Sequence, residues 1–292
     1  MNLKRKNLRN GLLFISPWII GFLVFTAYPL FSSLYYSFTE YNVISPPTFV
    51  GWDNYKQLLF QDKLFYKVLG NTLYLVVFGI GLTTVVTIFI AVLLNNKNIK
   101  GLSFFRVVFF LPTLVPLVIL AILWIWVLQP DNGIVNSFLH LFGTNGPGWF
   151  SSPGWAKPAF ILMMIWGSGR MIIIYLAGLQ GISASLYEAA RIDGAGPIQQ
   201  FFQITLPMLK PVILFNVITG IIAVLQQFAE AFIITDGGPD GSTTFYALYL
   251  YQNAFQYSKM GYASAMGWIL FVIALVIMLV LFRLTKRWGY DG

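Results

Sequence analysis

Six long apolar runs, at roughly 12–38, 69–94, 106–128, 158–179, 211–234 and 262–284, constrain this chain more than any other feature of its sequence. A helix needs about 20 apolar residues to cross a bilayer core about 30 Å thick. In lipid every backbone N–H and C=O must find an internal partner, so runs of this length are expected to be helices. The first run continues past Pro17 through Tyr28 and Pro29 without a small-residue cleavage site, and reads as an uncleaved span. The expectation is an all-α integral membrane protein with six transmembrane helices, residues 1–292 forming a single transmembrane domain.

Composition removes the soluble alternative. Hydrophobic residues make up 58% of the chain and charged ones 10%, where a soluble domain carries about 25% charged residues. Mean hydropathy is +0.74. Cysteine is absent, which excludes a disulfide framework and a thiolate metal site. The single histidine, His140, argues against two-histidine zinc sites and histidine proton relays, and it reads as a solvated loop residue. No Gly-rich phosphate loop with lysine is present, so ATP binding is not encoded in this chain.

The net charge of +8 sits at the ends of the apolar runs, which points to membrane orientation and away from nucleic acid. One set of loops holds twelve basic residues: Lys4, Arg5, Lys6, Arg9, Lys97, Lys100, Arg106, Arg191, Lys210, Arg283, Lys286 and Arg287. The other holds five: Lys56, Lys63, Lys67, Lys157 and Lys259. The richer set is expected to be cytoplasmic, giving a multi-pass protein of the cell membrane (inner or plasma) with both termini inside. Most tryptophans fall near span ends or in external loops, as interfacial aromatics do. The external loop at about 129–157 is rich in Gly, Pro, Asn and Ser, with little sign of an independent domain.

Residues 180–210, between the fourth and fifth runs, differ from the other loops. Glu188, Ala189, Ala190 and Arg191 favour a helix, and Ser183 or Ser185 can cap it. Gly194 and Gly196 stop that helix, and Pro197 suits the first turn of a second one. Ile198, Phe201, Phe202, Ile204 and Thr205 give the second helix an apolar face, and Pro207 with Pro211 is expected to end it before the fifth span. The product is a helix–turn–helix across the cytoplasmic surface. On these features alone, an amphipathic connector and a docking element stand level.

The spacing separates them. The segment resembles the Glu-Ala-Ala motif of binding-protein-dependent ABC importers. There Glu-Ala-Ala is followed by three residues, Gly, nine residues, and Ile-x-Leu-Pro. Glu188, Ala189, Ala190, Gly194, Ile204, Leu206 and Pro207 fill every position. The resemblance implies the type I ABC importer permease fold, with this helix pair seated in a cleft of a cytoplasmic ATPase subunit. Glu188 would make a charge contact there, Asp193 would join the same contact region, and Gly194 would allow the tight turn. Helix termination alone also accounts for Gly194. ATP and Mg would be bound by partner ATPases, with no cofactor in this chain.

Further stretches narrow the resemblance: Ser16 to Gly21, Ala27 to Pro29, Phe49 to Tyr55, Phe110 to Pro112, Asn216, and Thr235 to Pro239. They resemble the carbohydrate-uptake branch, in particular the larger maltose-permease subunit and the first permease subunit of glycerol-phosphate and oligosaccharide systems. The chain departs from the maltose subunit in lacking its extra N-terminal spans and large external domain. That subunit's added contacts to its binding protein are therefore not carried over.

Ionisable groups inside spans cost about 2.5–3.5 kcal/mol on insertion scales and are functional candidates by default. Arg170 lies in the fourth run and Glu230 in the outer half of the fifth. In the fifth run Asn216, Gly220, Val224 (with Ala223), Gln227 and Glu230 or Ala231 follow three-and-four spacing, a stripe that either packs closely against another helix or lines a water-filled cavity. An Arg170–Glu230 pair, or helices glued by Gln226 and Gln227, would be structural. By resemblance to the maltose permease, the substrate pathway falls on Thr113, Leu117, Gly167, Arg170, Gly220, Val224 and Gln227. Few of these residue types agree with that site, which implies a similar cavity and a different cargo.

The resemblance therefore implies a non-catalytic subunit of an ATP-driven importer for sugars, oligosaccharides in particular. Its implied partners are a second homologous permease subunit, two cytoplasmic ATPases and an external solute-binding protein. Arg170 keeps open an importer for glycerol phosphate or another anionic solute. An ion-coupled secondary transporter gives no reason for the Glu188 to Pro207 spacing. A membrane-embedded enzyme is opposed by the lone histidine and the lack of clustered carboxylates.

Overall fold

The computed structural model describes residues 3–96 and 99–286; Lys97 and Arg287, both counted above toward the cytoplasmic side, lie outside the described residues. The chain forms two compact units, Met1–Lys63 with Leu250–Val272, and Leu64–Tyr249 with Ile273–Gly292.

In the first unit, helix α1 (Asn10–Ser37) is long and apolar enough to cross a membrane. It passes Pro29 without ending, because a wider π turn over Leu23–Ala27 immediately precedes it. Proline has no N–H to donate and its ring crowds the carbonyl four residues back; opening the preceding turn relieves both. After α1 comes the one departure from an all-helical chain among the described residues, a short antiparallel pairing of β1 (Thr39–Glu40) with β2 (Thr48–Phe49). The Phe49 to Tyr55 stretch now has a structural role. Asn54 Nδ2 donates to the carbonyls of Ser37 (3.0 Å) and Thr39 (2.9 Å), and the Tyr55 hydroxyl donates to Ser37 Oγ at 2.7 Å. These bonds satisfy the end of α1.

In the second unit, α2 (Lys63–Asn95) is a single span candidate. Arg106 Nη2 donates to the Leu94 carbonyl at 3.1 Å, so a cation meets the carbonyl end of α2 where the helix dipole favours it. The third apolar run is not one straight helix: α3 (Leu102–Leu114) and α4 (Leu117–Val127) meet at a bend of 106°. Pro116 pushes Val115 into an extended conformation, with ψ 124°. The fourth run also breaks, into α5 (Pro153–Trp166) and α6 (Gly169–Gln180), bent by 48° at Gly167 and Ser168.

The short helix α7 (Ala184–Ile192) follows. Helix α8 (Pro197–Leu225) corrects two expectations. Pro207 and Pro211 do not end it: a π turn at Phe201–Thr205 opens the helix just before Pro207, as in α1, and Pro211 lies within the α-helix that follows. Nor does the fifth run stay helical to 234. Residues 226–228 leave the helix, and a short α9 (Ala229–Ile234) takes over. Helix α10 (Met260–Lys286) completes the described chain. Among the described residues four helices can cross a membrane by length and composition, or up to six if each bent pair is one span.

Helices α2, α6 and α8 pack against one another around Ile88, Ala91, Leu179 and Leu209. Between helices in lipid, close packing of small residues takes the place of the hydrophobic effect. Gly178 illustrates this: a Cβ there would lie 2.9 Å from Val212 Cγ2. The segment between α4 and α5 is ordered around Asn136, which is fully buried. Its Nδ2 donates to the Pro130 (2.9 Å) and Pro147 (3.1 Å) carbonyls, and its Oδ1 accepts from Trp149 Nε1 at 2.7 Å. The Thr235 to Gly241 stretch is tied to α2 by Lys67, which donates to the Asp240 carbonyl, and by Asn71, which donates to the Gly241 carbonyl at 2.8 Å.

Candidate functional site

The turn between α7 and α8 is built residue by residue from the sequence signals. Ser183 caps α7, its Oγ accepting from the Ser185 N–H at 3.3 Å. At the other end Gly194 takes φ +81°, the left-handed conformation that suits glycine. The Ala195 N–H then reaches the Ala190 carbonyl at 2.8 Å and the Gly194 N–H the Arg191 carbonyl at 3.1 Å, the paired bonds of a Schellman C-cap. Gly196 precedes Pro197, which opens α8. Two side-chain bonds brace the corner: Gln200 Nε2 to the Ala195 carbonyl at 2.7 Å, and Tyr187 to Thr205 between hydroxyls at 2.9 Å.

Glu188, Ala189, Asp193 and Gly194 are exposed on this corner, Ala190 is half-buried, and so are Ile204, Leu206 and Pro207 where α8 leaves it. Ile192, Ile198 and Phe202 present large apolar side chains at 87%, 76% and 61% exposure. The result is a braced ridge carrying a carboxylate among apolar tips.

The second group of candidates gathers at the two breaks. Thr113 and Leu117 flank the bend between α3 and α4, and Gly167 and Arg170 flank the bend between α5 and α6. The breaks touch: a Cβ at Gly169 would lie 3.0 Å from Thr113 Cγ2 and 2.2 Å from the Phe109 carbonyl oxygen. Arg170 is exposed in the first turn of α6. Among the described residues it forms no ion pair, with Glu230 or any other carboxylate; Lys56 pairs with Asp53 at 3.4 Å on the surface. Glu230 sits half-buried on α9, which packs against α4, the helix that begins at Leu117.

The stripe read from the fifth run divides. Asn216, Gly220 and Val224 are buried within the chain. At Gly220 a Cβ would lie 2.9 Å from both Ile80 Cδ1 and Met171 Cε, so this glycine serves close packing of α8 against α2 and α6. Gln227 lies past the end of α8 in the non-helical link and Glu230 beyond it, so they do not continue the stripe on one helix. Sequence reasoning missed Gly169, though a second glycine two residues after Gly167 was visible. It also missed the anchoring Asn136, whose burial no local pattern announces.

Apolar helices with two broken segments and a braced, exposed helix–turn–helix define the class as a membrane-embedded helical protein, without metal-binding clusters of His, Cys, Asp or Glu among the described residues. The chain belongs to the family described as binding-protein-dependent transport system inner membrane component, which it matches over residues 83–290. It is 41% identical to a probable ABC transporter permease protein, YesP, of Bacillus subtilis, over 97% of this chain and 93% of that one. It is 36% identical to the lactose transport system permease protein LacF of Rhizobium radiobacter, over 98% of this chain and 97% of that one. A crystal structure of a bacterial alginate ABC transporter, in complex with an alginate pentasaccharide-bound periplasmic protein, contains a chain that superposes with a TM-score of 0.86 at 28% identity, all of both chains being covered. The fold is that of type I ABC importer permeases.

Proposed function

We propose that this chain is the transmembrane subunit of an ATP-driven importer that moves sugars, oligosaccharides in particular, delivered by an external solute-binding protein. In this reading residues 1–292 work as one permease domain with six spans, each bent pair being one, and with both termini cytoplasmic. A second permease subunit completes the path, and two ATPase subunits bind ATP and Mg below. The observation that carries the reading is the exposed Schellman-capped corner bearing Glu188, Ala189, Ala190, Asp193 and Gly194 at the importer spacing. An exposed carboxylate among apolar tips suits a protein interface that pairs a desolvated charge with apolar contact. Relatives named for lactose transport and alginate import support a saccharide as cargo.

The test is to purify the assembled complex and measure which solute-loaded binding protein stimulates its ATPase. A saccharide-loaded protein is expected to do so, and Glu188→Ala to lower uptake at least ~10-fold, the equivalent of about 1.4 kcal/mol. Failure of any ATPase to co-purify, together with normal uptake in Glu188→Ala, would sink the reading.

A second reading, in which the transported saccharide carries an acidic group, is favoured by Arg170, an exposed cation without an ion pair among the described residues. With Thr113, Leu117, Gly167, Gln227 and Glu230, it is proposed to border the path at the helix breaks, while Gly220 and Val224 shape it from the buried side. A guanidinium matches a carboxylate bidentately, where an amide cannot. Arg170→Gln is expected to lower uptake of an acidic oligosaccharide ~10-fold or more while leaving a neutral one within about twofold, since charged hydrogen bonds exceed neutral ones by roughly that margin. Equal loss for both substrates would leave Arg170 a packing or folding residue.

A further inference from the structure

Residues 132–156, which join α4 to α5, contain no Asp, Glu, Lys or Arg. A connection running through water would carry several, since soluble domains are about 25% charged. Within it lies a short helix, Ile134–His140. A turn continues its curl: the Leu141 and Phe142 N–H groups donate to the Phe138 (3.2 Å) and Leu139 (3.0 Å) carbonyls, before Gly143 at φ +71° ends it. Ile134, Phe138, Leu141 and Phe142 follow one another at intervals that put them on one face. They are 70%, 58%, 81% and 71% exposed, and the Phe138 and Phe142 rings meet edge to face at 5.2 Å.

The opposite face is the one fastened to the protein. Asn136 lies two residues from both Ile134 and Phe138, about 200° around the helix from each. It is buried and bonds to Pro130, Pro147 and Trp149. Val135 and Leu139 beside it are half-buried. A surface helix in water turns its apolar side to the core; this one turns its polar anchor inward and its large apolar side chains outward. Such a stripe marks a surface that something apolar covers.

Its place in the fold says what that is. The Gly133 N–H closes on the Gln129 carbonyl at 3.0 Å, so the helix begins one tight turn after the end of α4, against which it packs. Both α4 and α5 are halves of apolar runs able to cross a membrane. Trp126 near the end of α4 and Trp155 at the start of α5 are exposed. Trp149, which donates to Asn136, meets the Trp155 ring edge-on at 5.4 Å. Tryptophans concentrate where lipid meets water, which sets the helix at that level. A protein partner is met by a polar rim around an apolar centre; lipid asks for no charge, and this segment offers none.

We propose that Ile134, Phe138, Leu141 and Phe142 insert into the lipid at the membrane surface, making the α4–α5 connection an interfacial anchor held to the protein through Asn136. The anchor fixes the depth of one half of each broken run. The inference rests on this segment's own geometry and does not depend on the nature of the transported solute.

The chain has no cysteine, so single nitroxide labels test the proposal in the complex assembled with cysteine-free partner subunits in phospholipid nanodiscs. Each label is read by its collisions with oxygen, which concentrates in the bilayer, and with a nickel chelate, which stays in water. Labels on Phe138→Cys and Leu141→Cys are expected to favour oxygen, at a depth of about 5–10 Å, as for the apolar face of an interfacial helix. A label on His140→Cys, two residues after Phe138 and about 200° around the helix, is expected to favour the chelate. All three native side chains are exposed, so the labels leave the Asn136 bonds in place, and recovery of the intact complex checks this. Chelate preference at positions 138 and 141 would place the stripe in water. Shielding from both reagents would place it against protein: a second permease subunit, or an external binding protein if shielding appears only when that is added. Oxygen preference at all three positions would mean a segment sunk whole, with no lipid-facing stripe. Each of these three results overturns the proposal.

Discussion

Replacing Gly194 with valine is expected to abolish coupled uptake while leaving the subunit in the membrane. Gly194 holds φ +81°, where a β-branched side chain collides with its own backbone, at a cost of about 1–3 kcal/mol. The space around it is open, with no atom within 4 Å of a Cβ placed there. The penalty is thus purely conformational, and the corner can escape it by rotating out of the left-handed region. That rotation breaks the Gly194 and Ala195 N–H bonds to Arg191 and Ala190. It then swings Glu188 and Ile192 relative to Ile198 and Phe202, which dock as one surface in the proposed reading. Uptake should fall at least ~10-fold, since about 1.4 kcal/mol is a factor of ten, and ATPase should be lost from the purified complex. Gly194→Asn provides the control. Asparagine tolerates the left-handed conformation far better than valine, so uptake should stay within about threefold of wild type. A valine variant that couples normally would show that the corner does not need this geometry.

What the sequence made legible here was local. Ser183, Gly194, Gly196 and Pro197 each act through their own backbone conformation, so the corner could be read before any tertiary contact was known. The apolar runs were legible for the same reason, since length and hydropathy act run by run. Breaks within them were less so. Pro116 bends the third run by pushing Val115 out of the helix, yet Pro207 and Pro211 leave α8 intact. At Pro207 the difference lies in the π turn at Phe201–Thr205, an adjustment that propensity does not encode. The candidate path suffered most. Gly220 looked like part of a polar stripe because spacing gives a face without saying what the face meets; its neighbours Ile80 and Met171 come from distant parts of the chain.

The same limit separates two glycines that look equivalent in the sequence, and the difference yields the largest expected effect at the helix breaks. At Gly167 a Cβ would meet the Met163 carbonyl oxygen at 3.4 Å and that of Met164 at 4.0 Å, both ordinary contacts, and φ is −76°. Gly167→Ala should therefore keep uptake within about threefold, because nothing must move beyond the small shifts a core tolerates. At Gly169 the methyl would sit 2.2 Å from the Phe109 carbonyl oxygen and 3.1 Å from Phe110 Cα. These are backbone atoms near the end of α3, so no side-chain rotation relieves the clash. Overpacking of this kind costs about 1–3 kcal/mol and occasionally more, and here the strain falls on the contact that joins the two broken helices. Separating them draws Thr113 away from the turn that carries Arg170. Gly169→Ala is expected to lower uptake at least ~10-fold, by the same factor of ten per about 1.4 kcal/mol, and to lower the thermal midpoint of the complex. A complex that keeps its midpoint and loses uptake would locate the effect in the geometry of the breaks. Gly169→Ala with unchanged uptake would mean that α3 and α6 need not touch for transport, and Thr113 would then leave the proposed path.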